Sequence, residues 1–358
     1  MIQERLKALR AEMEKRGITV YVVPTADFHE SEYVGDHFKA RKFITGFTGS
    51  AGTAVITLDE AGLWTDGRYF VQAENQLKDS TVTLYRMGEE GVPTVDEFVK
   101  DRLKEGGCLG FDGRVVNGTW GGRLEKIAAE KNVSMHVTED LIDLIWEDRP
   151  ALSKQPLFIL EEKYSGKSTA DKIGDLRKAM KENGADVHIL TSLYDIAWLL
   201  NIRGNDIDYV PVVLSYLVLN ETECIWFLQE EVVDDKIRAY LEENHITTKP
   251  YDAIYDYVPE IPADAVVLMN RGTVNYRIVN SLDKAIKVVD KPNPTELMKA
   301  VKNKTEVDNT RAAHVKDGVA FTKFMYWLKT NIGKIPMTEI SASDYLEARR
   351  REQDNFIE

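Results

Sequence analysis

"LRAEMEKRGITVYVVPT" (residues 9–25) has a near twin 167 positions further on, "LRKAMKENGADVHILTS" (176–192). Leu9, Arg10, Met13 and Gly17 recur as Leu176, Arg177, Met180 and Gly184. In each copy apolar residues three and four apart (Ile2, Leu6, Leu9, Met13; Ile173, Leu176, Met180) line one face of a helix. Gly17 and Gly184 fall where a left-handed C-cap is wanted. The runs "ITVYVVP" and "DVHILT" that follow read as buried strands.

The parallel continues. "FITGFTG" (43–49) matches "WLLNIRG" (198–204) at a spacing of 155, so the first copy holds twelve extra residues between these points. In both copies two β-rich runs then flank a polar turn, Asp59-Glu60-Ala61-Gly62 and Asn220-Glu221-Thr222-Glu223, as a hairpin requires. This internal duplication has a period near a domain length, and it predicts an α/β fold: two tandem domains with mixed sheets flanked by helices. The Pro-containing breakers "DRPALSKQP" (148–156) and "KPNPTE" (291–296) divide the chain into 1–152, 153–295 and a helical 296–358. In the last part Thr305 with Asp308 makes an approximate capping box, Thr338 is a second N-cap, and Val319, Phe321, Phe324, Trp327 and Leu328 form an apolar stripe. About sixty residues of two helices cannot make a competent core, so this part is expected to be the cut-off start of a further domain.

Composition narrows the function. Apolar residues make up 43% and charged residues 29%, the balance of a globular protein, and the net charge is −13. That charge, without a basic tract, argues against nucleic-acid binding. The N-terminus has no signal-type apolar segment, and the longest apolar run (210–219) is about half a membrane span. A cytoplasmic protein is expected, with Cys108 and Cys224 as separate reduced thiols.

"FTGSAGTAVITLDEAGLWTDGRYF" (47–70) holds the main candidate site. It lacks the Lys-Ser/Thr of a phosphate-binding P-loop, and no GxGxxG is present, so its small residues read as scaffold permitting close backbone approach. At its end Asp66 is placed to cap a helix starting near Tyr69, Gly67 eases the turn, and Arg68 leaves the strand at a fixed point. On chemistry alone a solvated Arg–Asp pair is the competing reading. His29 and Glu32 have the i, i+3 spacing of metal ligands on a helix, but no third ligand is evident; a hydrogen-bonded structural histidine is the alternative. Arg203 and Asp206, in "NIRGND", read as an internal pair fixing a loop, with substrate contact as the other option. No catalytic residue is expected in this chain.

Taken in order, "YVVPTADFHESEY", "FITGFTGSAGTAVIT", "LWTDGRYFVQA", "DIAWLLNIRGNDI" and "TEISASDYLEARRR" resemble the long, three-domain Xaa-Pro aminopeptidases of the creatinase/prolidase/methionine-aminopeptidase superfamily. The resemblance implies two creatinase-type N-terminal domains, then a pita-bread catalytic domain with a dinuclear metal site, usually Mn2+. It implies a peptide substrate with proline in second position, a homodimer, and a substrate-facing Arg68. It places the metal ligands, two aspartates, a histidine and two glutamates, beyond residue 358, and no residue here matches them. The chain alone is then expected to be inactive, supplying substrate-positioning and oligomerisation domains. The alternatives are a non-catalytic binding module like the superfamily's histone-chaperone relatives, favoured by the acidic balance, and a prolidase.

Overall fold

The computed structural model describes residues 2–357. A first unit comprises α1 (Ile2–Lys15), β1 (Val20–Pro24), α2 (Ala40–Thr45), β2 (Thr53–Thr57), β3 (Ala61–Thr65), α3 (Phe70–Leu77), β4 (Thr83–Arg86), α4 (Val95–Arg102), β5 (Cys108–Phe111), α5 (Gly118–Glu130) and β6 (Ser134–His136). A second comprises β7 (Phe158–Ile159), α6 (Glu162–Ser165), α7 (Thr169–Glu182), β8 (Val187–Leu190), α8 (Leu193–Leu200), β9 (Ile202–Arg203), β10 (Ser215–Asn220) and β11 (Cys224–Leu228). It continues through α9 (Asp235–Glu243), β12 (Thr247–Pro250), α10 (Ile254–Tyr257), β13 (Val266–Met269), α11 (Tyr276–Ser281) and β14 (Lys287–Asp290). The helices α12 (Pro294–Ala300), α13 (Lys304–Asn331) and α14 (Glu339–Arg351) follow.

The two sheets have one topology. Their strand orders are β4-β3-β2-β1-β5-β6 and β12-β11-β10-β8-β13-β14. In both, the three central strands pair antiparallel and the outer ones are added parallel, which makes the sheets mixed. A parallel neighbour needs a crossover, and the crossovers are helices lying on the sheet faces.

The duplicated helices bury the faces that their spacing predicts. Leu6, Leu9 and Met13 of α1, and Ile173, Leu176 and Met180 of α7, lie in the cores beneath their sheets. Each such side chain contributes roughly 1.5–3 kcal/mol by leaving water. Gly17 and Gly184 have φ of +67° and +63°, so the chain reverses into β1 and β8 through a left-handed residue that a Cβ would strain. The repeated arginines also act alike. Arg10 donates from Nε to Thr57 O (2.9 Å) and from Nη2 to Glu60 O (3.0 Å). Arg177 donates to Asn220 O (3.0 Å) and Glu223 O (3.4 Å). Each guanidinium holds the carbonyls of its own unit's hairpin turn, adding a second donor to Glu60 O and Glu223 O, which already close the turn on Thr57 N and Asn220 N.

Beyond the second sheet, α13 begins with a capping box made by Asn303 and Glu306, not by Thr305 and Asp308. Asn303 wins because its side chain also reaches across to Ser165 O (2.8 Å), fixing α13 to α6. Thr338 caps α14 as its position predicts. In the apolar stripe, Trp327 stacks on Tyr345 of α14 at 4.0 Å, while Val319 and Phe321 are 46% and 47% exposed.

Candidate functional site

At the carboxyl end of β3 the chain leaves a fully buried strand and turns into α3 within four residues. Tyr69 N closes the turn on Asp66 O at 3.0 Å. The Asp66 carboxylate does not cap the helix: the N-cap position is Tyr69, which makes no side-chain cap bond. Its oxygens are taken instead by Arg68. Asp66 Oδ1 accepts from Arg68 N (3.1 Å) and Nε (2.8 Å), and Oδ2 accepts from Nη2 (2.9 Å). This two-pronged pairing matches the planar fork of a guanidinium to a carboxylate. Arg68 holds the Asp66 carboxyl down at about 2, and Asp66 in turn raises Arg68, with Tyr69 and the Glu32 carboxylate adding smaller pulls. The Arg68 side chain is 70% exposed. It is therefore a charged, oriented and solvent-facing group, with the face of Tyr69 5.3 Å away.

The glycine-rich stretch before β2 braces this turn. Tyr69 Oη lies 2.6 Å from Ser50 Oγ. A Cβ on Gly49 would stand 2.2 Å from the Phe47 ring and 2.8 Å from that of Tyr69, so only glycine lets the loop lie this close. The loop carbonyls are held by Arg41, a buried residue on α2. Arg41 donates to Phe47 O and Gly49 O, and through Nε to Thr25 Oγ1 at 2.9 Å. Its hydrogen-bond partners include no carboxylate, and burial pulls its pKa down to about 10. Sequence reasoning missed Arg41. Its only signal was a charged residue amid "ARKFIT", which an amphipathic pattern reads as surface.

A cleft of about 520 Å³, walled by Glu32, Tyr33, Arg41, Ser50, Asp206 and Tyr209, adjoins the glycine-rich loop, while Asp66, Gly67, Arg68 and Tyr69 do not line it. Tyr209 at its mouth is 86% exposed and holds a φ of +63°. Left-handed backbone at a bulky residue costs roughly 1–3 kcal/mol.

The other residues singled out from sequence are placed differently. His29 and Glu32 are not on a helix and do not converge. His29 is buried, with Nδ1 donating to Thr191 O (3.0 Å). Nε2 is thereby left to accept from Tyr251 Oη (2.5 Å), which defines the tautomer. Burial lowers its pKa to about 4. Glu32 is exposed on the cleft wall. Arg203 and Asp206 do not pair with each other. Arg203 Nη1 donates to Ala197 O and Ile202 O, whereas Asp206 accepts from Gln155 N (3.2 Å) and Leu214 N (2.8 Å). Each fixes a different part of the backbone, and burial raises the Asp206 carboxyl.

Among the described residues no group of three or more His, Cys, Asp or Glu side chains is placed to hold a metal ion. The dinuclear centre that the resemblance implies finds no cradle in residues 2–357. Nor is any helix among them long and apolar enough to cross a membrane.

The comparisons with known proteins agree with the duplicated fold. The Creatinase/Prolidase N-terminal domain is matched twice, over residues 5–145 and 148–306. A probable Xaa-Pro aminopeptidase P from Sordaria macrospora is 38% identical over 369 residues, covering 99% of this chain and 60% of the relative. One from Neurospora crassa is also 38% identical, covering 99% of this chain and 54% of the relative. The crystal structure of an X-prolyl aminopeptidase from Caenorhabditis elegans, described as a cytosolic enzyme with a di-nuclear active site, superposes with a TM-score of 0.94. It is 31% identical, and the match covers all of this chain and 61% of that one. The chain thus spans between 54% and 61% of the length of these relatives. With each half matched by the same domain description, the chain belongs to the creatinase/prolidase N-terminal domain family and carries that domain as a tandem pair.

Proposed function

We propose that this chain is the substrate-positioning part of a metal-dependent Xaa-Pro aminopeptidase, which releases an N-terminal residue that precedes proline. The observation carrying the reading is likeness to such enzymes along 99% of the chain, together with an oriented, exposed Arg68 on a turn tied through Tyr69 to Ser50, which walls the cleft. In this reading residues 1–152 and 153–295 are two creatinase-type domains, and 296–358 opens the domain that supplies the metal centre. Two manganese ions would be held there and would activate water for attack on the scissile carbonyl.

An Xaa-Pro bond is a tertiary amide whose ring restricts both neighbours, so a dedicated pocket must position it. Arg68 suits the carbonyl or carboxylate groups of such a peptide because its fork offers parallel donors. Asp66 keeps the fork oriented until substrate arrives and Tyr69 ties the turn to Ser50. Gly67, expected to ease the turn, has no left-handed φ and has room for a Cβ, its nearest neighbour being Phe70 at 3.8 Å, so the turn does not depend on a glycine there. His29, Arg203 and Asp206 hold the scaffold. A cytoplasmic homodimer completes the proposal.

The test is turnover. The purified chain, given Mn2+ and an Xaa-Pro peptide, is expected to show no hydrolysis. The same chain continued to the length of its relatives is expected to cleave, and to lose most activity as R68A. Robust cleavage by residues 1–358 alone would contradict the division of labour.

A further inference from the structure

The seam between the two units carries a symmetry of its own. Asn117 and Asn275 face each other in an isolated antiparallel bridge. Around them the backbone hydrogen bonds come in reciprocal pairs. Gly118 N donates to Val274 O (2.8 Å) and Tyr276 N donates to Val116 O (2.7 Å). Thr119 N donates to Arg271 O (3.0 Å) and Arg277 N donates to Gly113 O (2.9 Å). Residues 113, 116, 118 and 119 relate to 271, 274, 276 and 277 by one constant spacing of 158.

The local structure repeats at the same spacing. Both asparagines are N-caps, accepting from Trp120 N and Ile278 N on α5 and α11. Just before them, Asp112 Oδ1 accepts from Arg114 N and Asn270 Oδ1 accepts from Gly272 N, both at 2.9 Å. In an interface with two-fold symmetry, residue i meets j while the equivalent of j meets the equivalent of i. All four backbone bonds across the seam obey that rule, and the cap bonds repeat within each unit at the same spacing.

Side chains obey it too, but with opposite sizes. A Cβ on Gly118 would stand 2.7 Å from Val279, and one on Gly121 would stand 2.1 Å from the Tyr276 ring. These are one contact and its symmetry mate, with glycine always on the first unit and the larger residue on the second. Tyr276 passes through this opening into the first unit's core, where it meets Phe111 at 5.6 Å between ring centroids. Two faces of the first kind would leave paired holes. Two of the second kind would drive Tyr276 into Val279.

We infer that the seam is a self-complementary contact of the kind that joins two identical subunits, carried here inside one chain and specialised by a small-for-large match. The partner each face accepts is the opposite kind of unit and not a second copy of its own kind. The consequence is a fixed frame: the first unit, which carries Arg68, is held rigidly to the second, on which α13 docks through Asn303 and Ser165.

The inference is tested by exchanging the match in the whole chain and following thermal unfolding with light scattering. G118Y/G121V makes both faces large, and Y276G/V279G makes both small. Each is expected to lower Tm by about 10 °C or more, as a loss of a few kcal/mol does in domains of this size. The fourfold exchange restores the match in mirror image and is expected to recover at least half of that loss, as a monomer. Should a bulky variant not fold, G118A with V279A and G121A with Y276A give two milder cycles. Coupling of the same sign is expected in both, because they are one contact seen twice. A fourfold variant no more stable than the sum of its halves, or coupling in only one mild cycle, would overturn the symmetric seam.

Discussion

The two units of this chain were cut from one pattern, and they differ where the candidate site lies. They share strand order, the helix and left-handed glycine leading into the first strand, the arginine that pins the hairpin, and the asparagine cap at the seam. They part after the first strand. In the second unit β8 runs within two residues into α8, whereas in the first the chain wanders from Thr25 to α2. That longer segment buries Phe28 and Phe38 in the second unit's core and brings Glu32 and Tyr33 to the cleft. They part again after the hairpin: Asp66-Gly67-Arg68 follows β3, but Gln229-Glu230-Glu231 follows β11. What is common builds the frame; what is unique to the first unit builds the Arg68 turn and one wall of the cleft, to which the second unit adds Asp206 and Tyr209.

If that division is right, damage should scale with how much of the frame a residue carries. The largest loss is expected from R41A. It leaves the Phe47 and Gly49 carbonyls without their donor and opens a void beneath the loop, a cost of about 2–4 kcal/mol in chemical denaturation. A cost under about 1 kcal/mol would remove Arg41 from the frame.

Acid should strike the crossing segment next. His29 is held neutral at about 4, while a free histidine titrates near 6.5, so the unfolded chain binds the proton more readily. Its contribution is fully present above pH ~6.5 and is lost as pH falls towards 4, by ~1–3 kcal/mol. Denaturant melts from pH 7 to 4.5 are expected to show this slope and H29Q to flatten it. The groups it faces are Tyr251, which donates to its ring, and Asp27, which accepts from its backbone N–H.

Smaller again, and equal in the two units, are R10A and R177A, at about 1 kcal/mol each, because each arginine bonds the same two turn carbonyls. Unequal losses would show that the duplicated pins have diverged.

Much of the frame was legible because it is local. Helical spacing, a glycine at the C-cap and a hairpin turn each occupy a few adjacent residues, and the duplication wrote them twice. The seam was not read, although Val116-Asn117 and Val274-Asn275 repeat in the sequence. Two residues are too weak a pattern until the sheets bring them face to face. The site was legible in part. Arg68 stands out because a strand end and a helix start bracket it, but Asp66 does not cap that helix: its carboxylate binds the arginine in the exposed Arg–Asp pair that chemistry alone offers as the competing reading. His29 and Glu32 had ligand spacing for a helix, and no helix forms there. Asn303 displaced Thr305 as a cap because a contact with Ser165, distant in sequence, decided it.

The most direct test is peptide binding by the folded chain and its R68A variant, followed by titration calorimetry or NMR with a short Xaa-Pro peptide. Arg68 is solvent-facing and, among the described residues, its side-chain hydrogen bonds go to its neighbour Asp66, so R68A is expected to leave Tm unchanged and to weaken binding at least about tenfold. Equal affinity in the two proteins, at equal Tm, would contradict a substrate-facing arginine and leave the first unit's distinctive turn as mere surface.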